Sequence, residues 1–448
     1  MERVDAVIVG SGQGGVPLAA DLAAAGKQVV LFERRSLGGS CINYGCTPSK
    51  AFLAAAHAAG RARQAAALGI HAEVRVDFAQ VMERVRSIRD RFNQGVEQRL
   101  VKAGVRVVRA EGRFSDGQTI TGGGVSVQAP LIVLNTGTSP QLPEIPGLRE
   151  VPVLTNLNFF DQKNLPEHTI VLGGGYIGLE LGQGLARLGS KVHLVHRHAH
   201  LLNSEAQQVS DVLAEAFHRD NIDLHLGVRV DQLHYEQGIY TLHLSDGSTL
   251  TGEALLVATG RRPNTDALDA PAAGVELDEQ GYVKIDEQFR TTAPGVYAIG
   301  DVAGQPAFTH VSWEDYRRLT AILKGEDRRR DDRVLGYAVY TEPQVGRVGF
   351  TGEQAKKQGF KTRAVTLPMT YIARAIEWGH DLGFYQLVVD SETDRILGAT
   401  LVGYEAAELV HVLLAHMQAG SSWQLLEQSV HIHPTYGEAL PSLARLLT

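Results

Sequence analysis

The sequence predicts an α/β protein with two Rossmann-like nucleotide-binding domains followed by a C-terminal α+β domain. Three observations predict it. A glycine-rich turn set between a strand and a helix occurs twice. Apolar strands ending in glycine turns recur after each copy. A mixed charge run at residues 324–333 then precedes a last block of strand-like and helical patterns. With 448 residues the chain is too long for one hydrophobic core, so several domains are expected.

The first unit opens with a buried strand at Val4–Val9. The turn Gly10-Ser11-Gly12-Gln13-Gly14-Gly15 follows, then an alanine-rich helix to about Ala25, with Gly26 in the left-handed position after it, and a second strand at Gln28–Phe32 ending at Glu33. Gly10, Gly12 and Gly15 let the backbone approach a pyrophosphate, and the helix N-terminus faces its charge. Glu33 stands where an acid would bond a pair of ribose hydroxyls. The unit recurs with a strand at Thr169–Leu172, the turn Gly173-Gly174-Gly175-Tyr176-Ile177-Gly178, a helix at Leu179–Leu188 ended by Gly189, and a strand at Lys191–Val195. One such loop is a weak signal, but two in complete strand–turn–helix–strand frames are a strong one.

Three further strands end in glycine turns. They are Leu131–Leu134 running into Asn135-Thr136-Gly137, Leu255–Ala258 into Thr259-Gly260, and Val296–Ile299 into Gly300-Asp301. A long charge-laced helix is expected over 77–103. The run at 324–333 reads as a solvated linker.

At the position in the second copy that corresponds to Glu33 stands His196, followed by Arg197. A carboxylate there would repel a ribose 2′-phosphate, whereas His196 and Arg197 would attract it. A charge-assisted phosphate bond is worth about 1.5–3 kcal/mol, a preference on the order of tenfold to a hundredfold for NADPH over NADH. Histidines 196, 198 and 200 share a face only in an extended segment. A loop is expected there, so no metal site is assigned.

The net charge of −7 gives no reason to expect a nucleic-acid or anionic-membrane partner. No run of 18 apolar residues exists, and the chain enters a strand almost at once without a secretory leader pattern. A cytoplasmic protein is therefore expected. There are only two cysteines, Cys41 and Cys46, in the stretch Gly38-Gly39-Ser40-Cys41-Ile42-Asn43-Tyr44-Gly45-Cys46-Thr47-Pro48-Ser49-Lys50. Additional zinc ligands do not accompany them. A helix starting after Cys46 would lower the thiol pKa and favour the thiolate that a redox dithiol needs.

These residues resemble the class I pyridine nucleotide-disulfide oxidoreductases, the family of dihydrolipoyl dehydrogenase, glutathione reductase and mercuric reductase. The cysteine stretch differs from the common GGTC form only at Ser40, and the resemblance covers essentially the whole chain. It implies FAD and NAD(P)H as cofactors, Cys46 as the thiolate beside the flavin and Cys41 as the interchange thiol. It also implies a Lys50–Glu180 pair near the flavin, Tyr176 as a gate to the nicotinamide pocket, and Asp301 on the ribityl chain. The stretch His431-Ile-His433-Pro434-Thr435-Tyr436-Gly437-Glu438 is similar to the family's HxHPTxxE motif. His433 would be the general acid/base and Glu438 its orienting carboxylate, both serving the other subunit of a homodimer.

The implied division is 1–148 and 266–333 as two parts of the FAD-binding (central) domain, 149–265 as the NAD(P)-binding domain, and 336–448 as the dimerisation domain. Residues 308–317 and 341–350 resemble mercuric-reductase-like and reactive-chlorine-resistance flavoproteins. No cysteine follows Cys46, however, so the terminal cysteine pair of true mercuric reductases has no counterpart. The acceptor expected is a small disulfide, a thiophilic oxidant or a metal ion. The alternatives are a dihydrolipoyl dehydrogenase that tolerates His196, and a cysteine-based redox sensor whose turnover is incidental.

Overall fold

A computed structural model describes residues 1–448. The strand Ala6–Val9 lies in the middle of a five-stranded parallel sheet in the order 296–298, 131–134, 6–9, 29–32 and 106–108. All four of its residues are buried, as a strand covered on both faces requires. The pairing of Val296–Ala298 with Leu131–Leu134 returns the chain to its first sheet after a long excursion. Most of that excursion is a second parallel sheet, 223–226, 191–196, 168–172 and 254–257, with an antiparallel layer from 230 to 252 against one face. Residues 336–403 form a five-stranded antiparallel sheet on which the helices Ala406–Gln418 and Ala439–Arg445 pack.

The helix expected at 77–103 is Phe78–Ala103, capped by the Asp77 side chain, which accepts from the Gln80 N–H. The helix of the second glycine unit begins earlier than its apolar pattern, at Tyr176, so Tyr176 sits in its first turn. No helix is long and apolar enough to cross a membrane.

One expectation fails in part. The run at 324–333 is not simply a solvated linker. The Arg333 side chain is buried and donates to the fully buried Asp315 at 2.6 Å, and Arg318 pairs with Asp332. Asp315 also accepts from the Gly300 N–H at 2.8 Å. A carboxylate fixing that turn from inside the protein needs a cation, and the run supplies it.

A second polar network joins the domains behind the cavity. Glu342 takes Arg61 and Arg187 together, Arg187 also bonds Asp220 at 2.7 Å, and Gln183 exchanges two 2.8 Å hydrogen bonds with the Glu342 backbone.

Candidate active site

Cys41 lies on the short helix Gly39–Tyr44, and Cys46 is the first residue of the helix Cys46–Gln64. Gly38 and Gly39 enter this corner at φ +88° and +62°, left-handed values that disfavour a side chain. Both cysteines are free thiols. The Cys41 thiol donates to Cys46 and lowers the Cys46 pKa to about 6 against the opposing effect of burial. Thr309 Oγ1, 3.0 Å from Cys46 Sγ, and the Lys50 ammonium help. The same hydrogen bond, together with burial, raises the pKa of Cys41. The corner therefore holds one thiolate and one thiol. Thr309 was not singled out from the sequence. Its signal was the position of the Phe308-Thr309-His310 stretch at the start of the helix Thr309–Leu323.

Lys50 Nζ lies 2.7 Å from Glu180 Oε2 and 4.4 Å from the centre of the Tyr340 ring, whose own backbone N–H donates to Glu180 Oε1 at 3.0 Å. Glu180 is buried and has both oxygens engaged. Tyr340 is thus a third member of the expected Lys50–Glu180 pair. Tyr176 leans on Phe308, which stacks on Tyr337, and burial pushes the Tyr176 phenol up to about 12.

Except for Tyr337, these groups line one cavity of about 630 Å³ that runs from Glu33 past Gly12 and Cys46 to Tyr176 and Asp301. Gly12 lines it, and the turn from Gly10 to Gly15 is packed so closely at these glycines that it leaves no room for side chains there. A Cβ on Gly12 would come within 2.6 Å of Asn135 Oδ1, and one on Gly15 within 2.3 Å of the Gly10 carbonyl oxygen. Gly10 itself has φ +101°. Thr136 Oγ1 is buried with no partner beside Gly137. Burial raises the Asp301 carboxyl, opposed by Arg261 and by a 2.8 Å bond from Thr138, which in turn accepts from Arg261. Thr138 and Arg261 carried no motif of their own. Gly260 does not line this cavity; its carbonyl oxygen accepts from the Gln141 N–H at 3.0 Å.

In the second glycine loop a Cβ on Gly173 would come within 2.3 Å of the Ala258 carbonyl oxygen, and one on Gly178 within 2.0 Å of the Gly173 carbonyl oxygen. Gly175, by contrast, faces open space. His196 departs from the expected cation. It is the last residue of its strand, is buried, and accepts the Gly174 N–H on Nδ1 at 3.0 Å. Burial, His198 and Arg197 push its pKa down to about 4, so the imidazole is neutral, with a buried Nε2 that has no partner. Only Arg197, exposed on the loop beside it, supplies charge.

His433 Nδ1 lies 2.8 Å from Glu438 Oε2, but the pair stands on the surface, 73% of the His433 side chain exposed, and does not line the cavity of its own chain. Val430 and Ile432 beside it are 98% and 80% exposed.

A family model described as "Pyridine nucleotide-disulphide oxidoreductase" matches residues 4–315, and one described as "Pyridine nucleotide-disulphide oxidoreductase, dimerisation domain" matches 336–444. The chain is similar to the "Probable pyridine nucleotide-disulfide oxidoreductase RclA" of Escherichia coli (strain K12), 31% identical over the whole of both chains. It is also similar to a "Dihydrolipoyl dehydrogenase" of Halobacterium salinarum, 33% identical over 97% of this chain and 94% of that one. Its backbone matches the structure of the "Cu(II) complex of HOCl-induced flavoprotein disulfide reductase RclA from Escherichia coli" with a TM-score of 0.91, at 31% identity and covering both chains fully.

Proposed function

The chain belongs to the pyridine nucleotide-disulphide oxidoreductases, FAD-dependent enzymes with a dimerisation domain, and from that premise we propose that it reduces a small disulfide or other thiophilic acceptor at the expense of NADPH. The observation that carries this reading is the pair of free thiols in one cavity, Cys46 at the first turn of its helix with Thr309 Oγ1 3.0 Å from its sulfur and Cys41 beside it.

The cavity fits FAD. Glu33 retains acceptor capacity for ribose hydroxyls, the side-chain-free Gly12 lines the cavity where a pyrophosphate would sit, and Asp301 and the unpartnered Thr136 hydroxyl offer polar anchors. When bound, FAD supplies the passage from a two-electron hydride donor to the Cys41–Cys46 disulfide. Lys50 and Glu180 fix the charge beside the cysteines.

The raised Cys41 thiol needs a base before it can attack. His433 of the partner subunit, oriented by Glu438, would take that proton. The Cys41 thiolate then attacks one sulfur of the acceptor, the acceptor S–S bond breaks, and the departing thiolate takes the proton from His433. Cys46 next attacks the Cys41 sulfur of the mixed disulfide. The second acceptor sulfur leaves as a thiolate, which takes its proton from solvent, and the Cys41–Cys46 bond is restored, so two electrons have passed to the acceptor. Proton handling of this kind serves disulfide exchange better than metal-ion reduction, and it gives a pure redox sensor nothing to do. Thiophilic ions, soft Hg(II) or borderline Cu(II), are candidates for the thiolates themselves.

NADPH is favoured over NADH because the acid at position 196 is missing and the exposed Arg197, bonded only through Nε to His198, has its terminal guanidinium nitrogens available for a phosphate. A dithiol that must be reduced to work suits the cytoplasm. A second reading, dihydrolipoyl dehydrogenase, is favoured by the nearly full-length match to the Halobacterium salinarum protein of that name.

The test is to assay oxidised glutathione, lipoamide, Cu(II) and Hg(II) side by side on purified enzyme with NADPH, and dihydrolipoamide with NAD in the reverse direction. A disulfide should be the best acceptor. Hg(II) reduction exceeding every disulfide by orders of magnitude would overturn the reading. Faster dihydrolipoamide oxidation would select the second one.

A further inference from the structure

We propose that His193, Asp223 and His225 form a binding site for one divalent transition-metal ion of borderline softness, with zinc as its redox-inert representative. Asp223 Oδ2 lies 3.0 Å from His193 Nδ1 and 3.1 Å from His225 Nε2, and the three ligand atoms all fall within 4.8 Å of one another. Four ligands at about 2.0–2.1 Å around a tetrahedral ion stand roughly 3.3 Å apart. Two edges of the required triangle are therefore close to their bound length, and rotation of the two imidazoles closes the third.

The strands dictate the arrangement. His193 sits opposite Asp223 in the parallel register, and His225 follows two residues along on the same face of the edge strand Asp223–Leu226. The two histidine side chains are only 12% and 18% exposed, while Asp223 is 54% exposed, so the ligands are held in place with an entry path left open. Burial lowers the His193 pKa, which favours the neutral imidazole that a metal needs. Asp246 lies near His225 and Lys191 near His193, one acid and one base at the rim.

Two imidazoles and one carboxylate are a ligand set for Zn(II), Cu(II) or Ni(II) rather than for magnesium or calcium. A fourth position is left for water. Binding requires each imidazole to turn a lone pair to the ion and carry its proton on the other nitrogen. The site is separate from the redox cavity. None of its three residues lines that cavity, and His193, three residues before His196, points to the opposite face of the strand. A bound ion would clamp the edge strand to its neighbour, so its effect is on stability rather than on turnover.

The experiment uses the oxidised holoenzyme, in which Cys41 and Cys46 are tied up as a disulfide, dialysed against ZnCl2 with zinc content and thermal unfolding as readouts. One zinc per chain and a raised Tm are expected. Both should persist in Cys41→Ser/Cys46→Ser. Zinc affinity should fall by on the order of tenfold or more in His193→Gln and in His225→Gln, since loss of a ligand costs at least as much as loss of a supporting group. Asp223→Asn, a change at a half-exposed position, should weaken binding without endangering the fold. Zinc that survives all three substitutions, zinc that disappears only with the cysteines, or no saturable zinc at all would each overturn the proposal.

Discussion

Glu33 and His196 occupy the same station in the two glycine loops. Glu33 Oε2 accepts from the Ser11 N–H at 3.0 Å, and His196 Nδ1 accepts from the Gly174 N–H, also at 3.0 Å. Each side chain hangs from the strand after the helix and holds the second residue of its loop. An acid and a neutral imidazole do this equally well, since the loop needs only an acceptor. What changes is the charge presented to the nucleotide.

The first prediction follows from that exchange. With His196 neutral, discrimination rests on the absent carboxylate and on Arg197. Wild-type kcat/KM should favour NADPH over NADH by about tenfold or more. Arg197→Ala should remove most of that preference. His196→Glu should keep the loop bond and reverse the preference. Because His196 is already neutral above pH about 4, the preference should not change between pH 6 and 8 through this residue. Steady-state kinetics with both nucleotides at several pH values measures all of this, and an NADH preference in the wild type would refute it.

The second prediction concerns Cys46. Its pKa is depressed to about 6, so the thiolate is present above that pH and is lost as pH falls through it. In the two-electron-reduced enzyme the long-wavelength absorbance of a thiolate beside FAD should titrate out with a midpoint near 6. Thr309→Val removes a hydrogen bond to the sulfur and should move the midpoint upward. Cys46→Ser should lose the band, whereas Cys41→Ser should show it without any reductant. Identical spectra in both serine variants would mean that the two thiols do not have these separate roles.

The parts legible in the sequence were those built on short-range rules. Gly10, Gly173 and Gly189 stand where positive φ is needed, the two strand–turn–helix–strand frames can be read off residue by residue, and Asp77 caps its helix. What stayed hidden depends on contacts distant in sequence. The Tyr340 backbone reaches Glu180 across 160 positions, and Thr309 reaches Cys46 across 263. His196 was correctly located, but its charge was not foreseen, because burial decides protonation and burial is not written in the residue. The charge run misled only at its end, for a similar reason. Most of it is solvated as expected, but the fold places Asp315 beside Arg333.

That pair supports a third prediction. Asp315 is fully buried and holds the Gly300 N–H, so removing Arg333 strands a carboxylate without its cation. Arg333→Met should cost about 3–5 kcal/mol of stability. Arg333→Met/Asp315→Asn should recover part of it, because no unpaired charge remains. Denaturant unfolding of the two variants measures the difference. A double variant no more stable than the single one would show that the cost is lost packing rather than a stranded charge.

The last prediction concerns how the active site is completed. In one chain His433 is bonded to the half-buried Glu438 yet faces solvent, next to Val430 and Ile432, which are largely exposed. Two isoleucine- and valine-sized side chains left in water beside an oriented acid–base pair call for a cover, and a second copy docked through the dimerisation domain would provide one. If that copy brings His433 to Cys41, each active site takes its thiols from one subunit and its base from the other. Cys41→Ser and His433→Ala enzymes should then each be nearly inactive alone. After subunit exchange by random pairing, half of the dimers are mixed, and each mixed dimer has one site with both Cys41 and His433 intact. Activity should therefore return to about a quarter of wild type. If Cys41 and His433 acted within one chain, every site in the mixture would lack one of them. Mixing would then restore nothing, and verified exchange without recovered activity would reject the shared site.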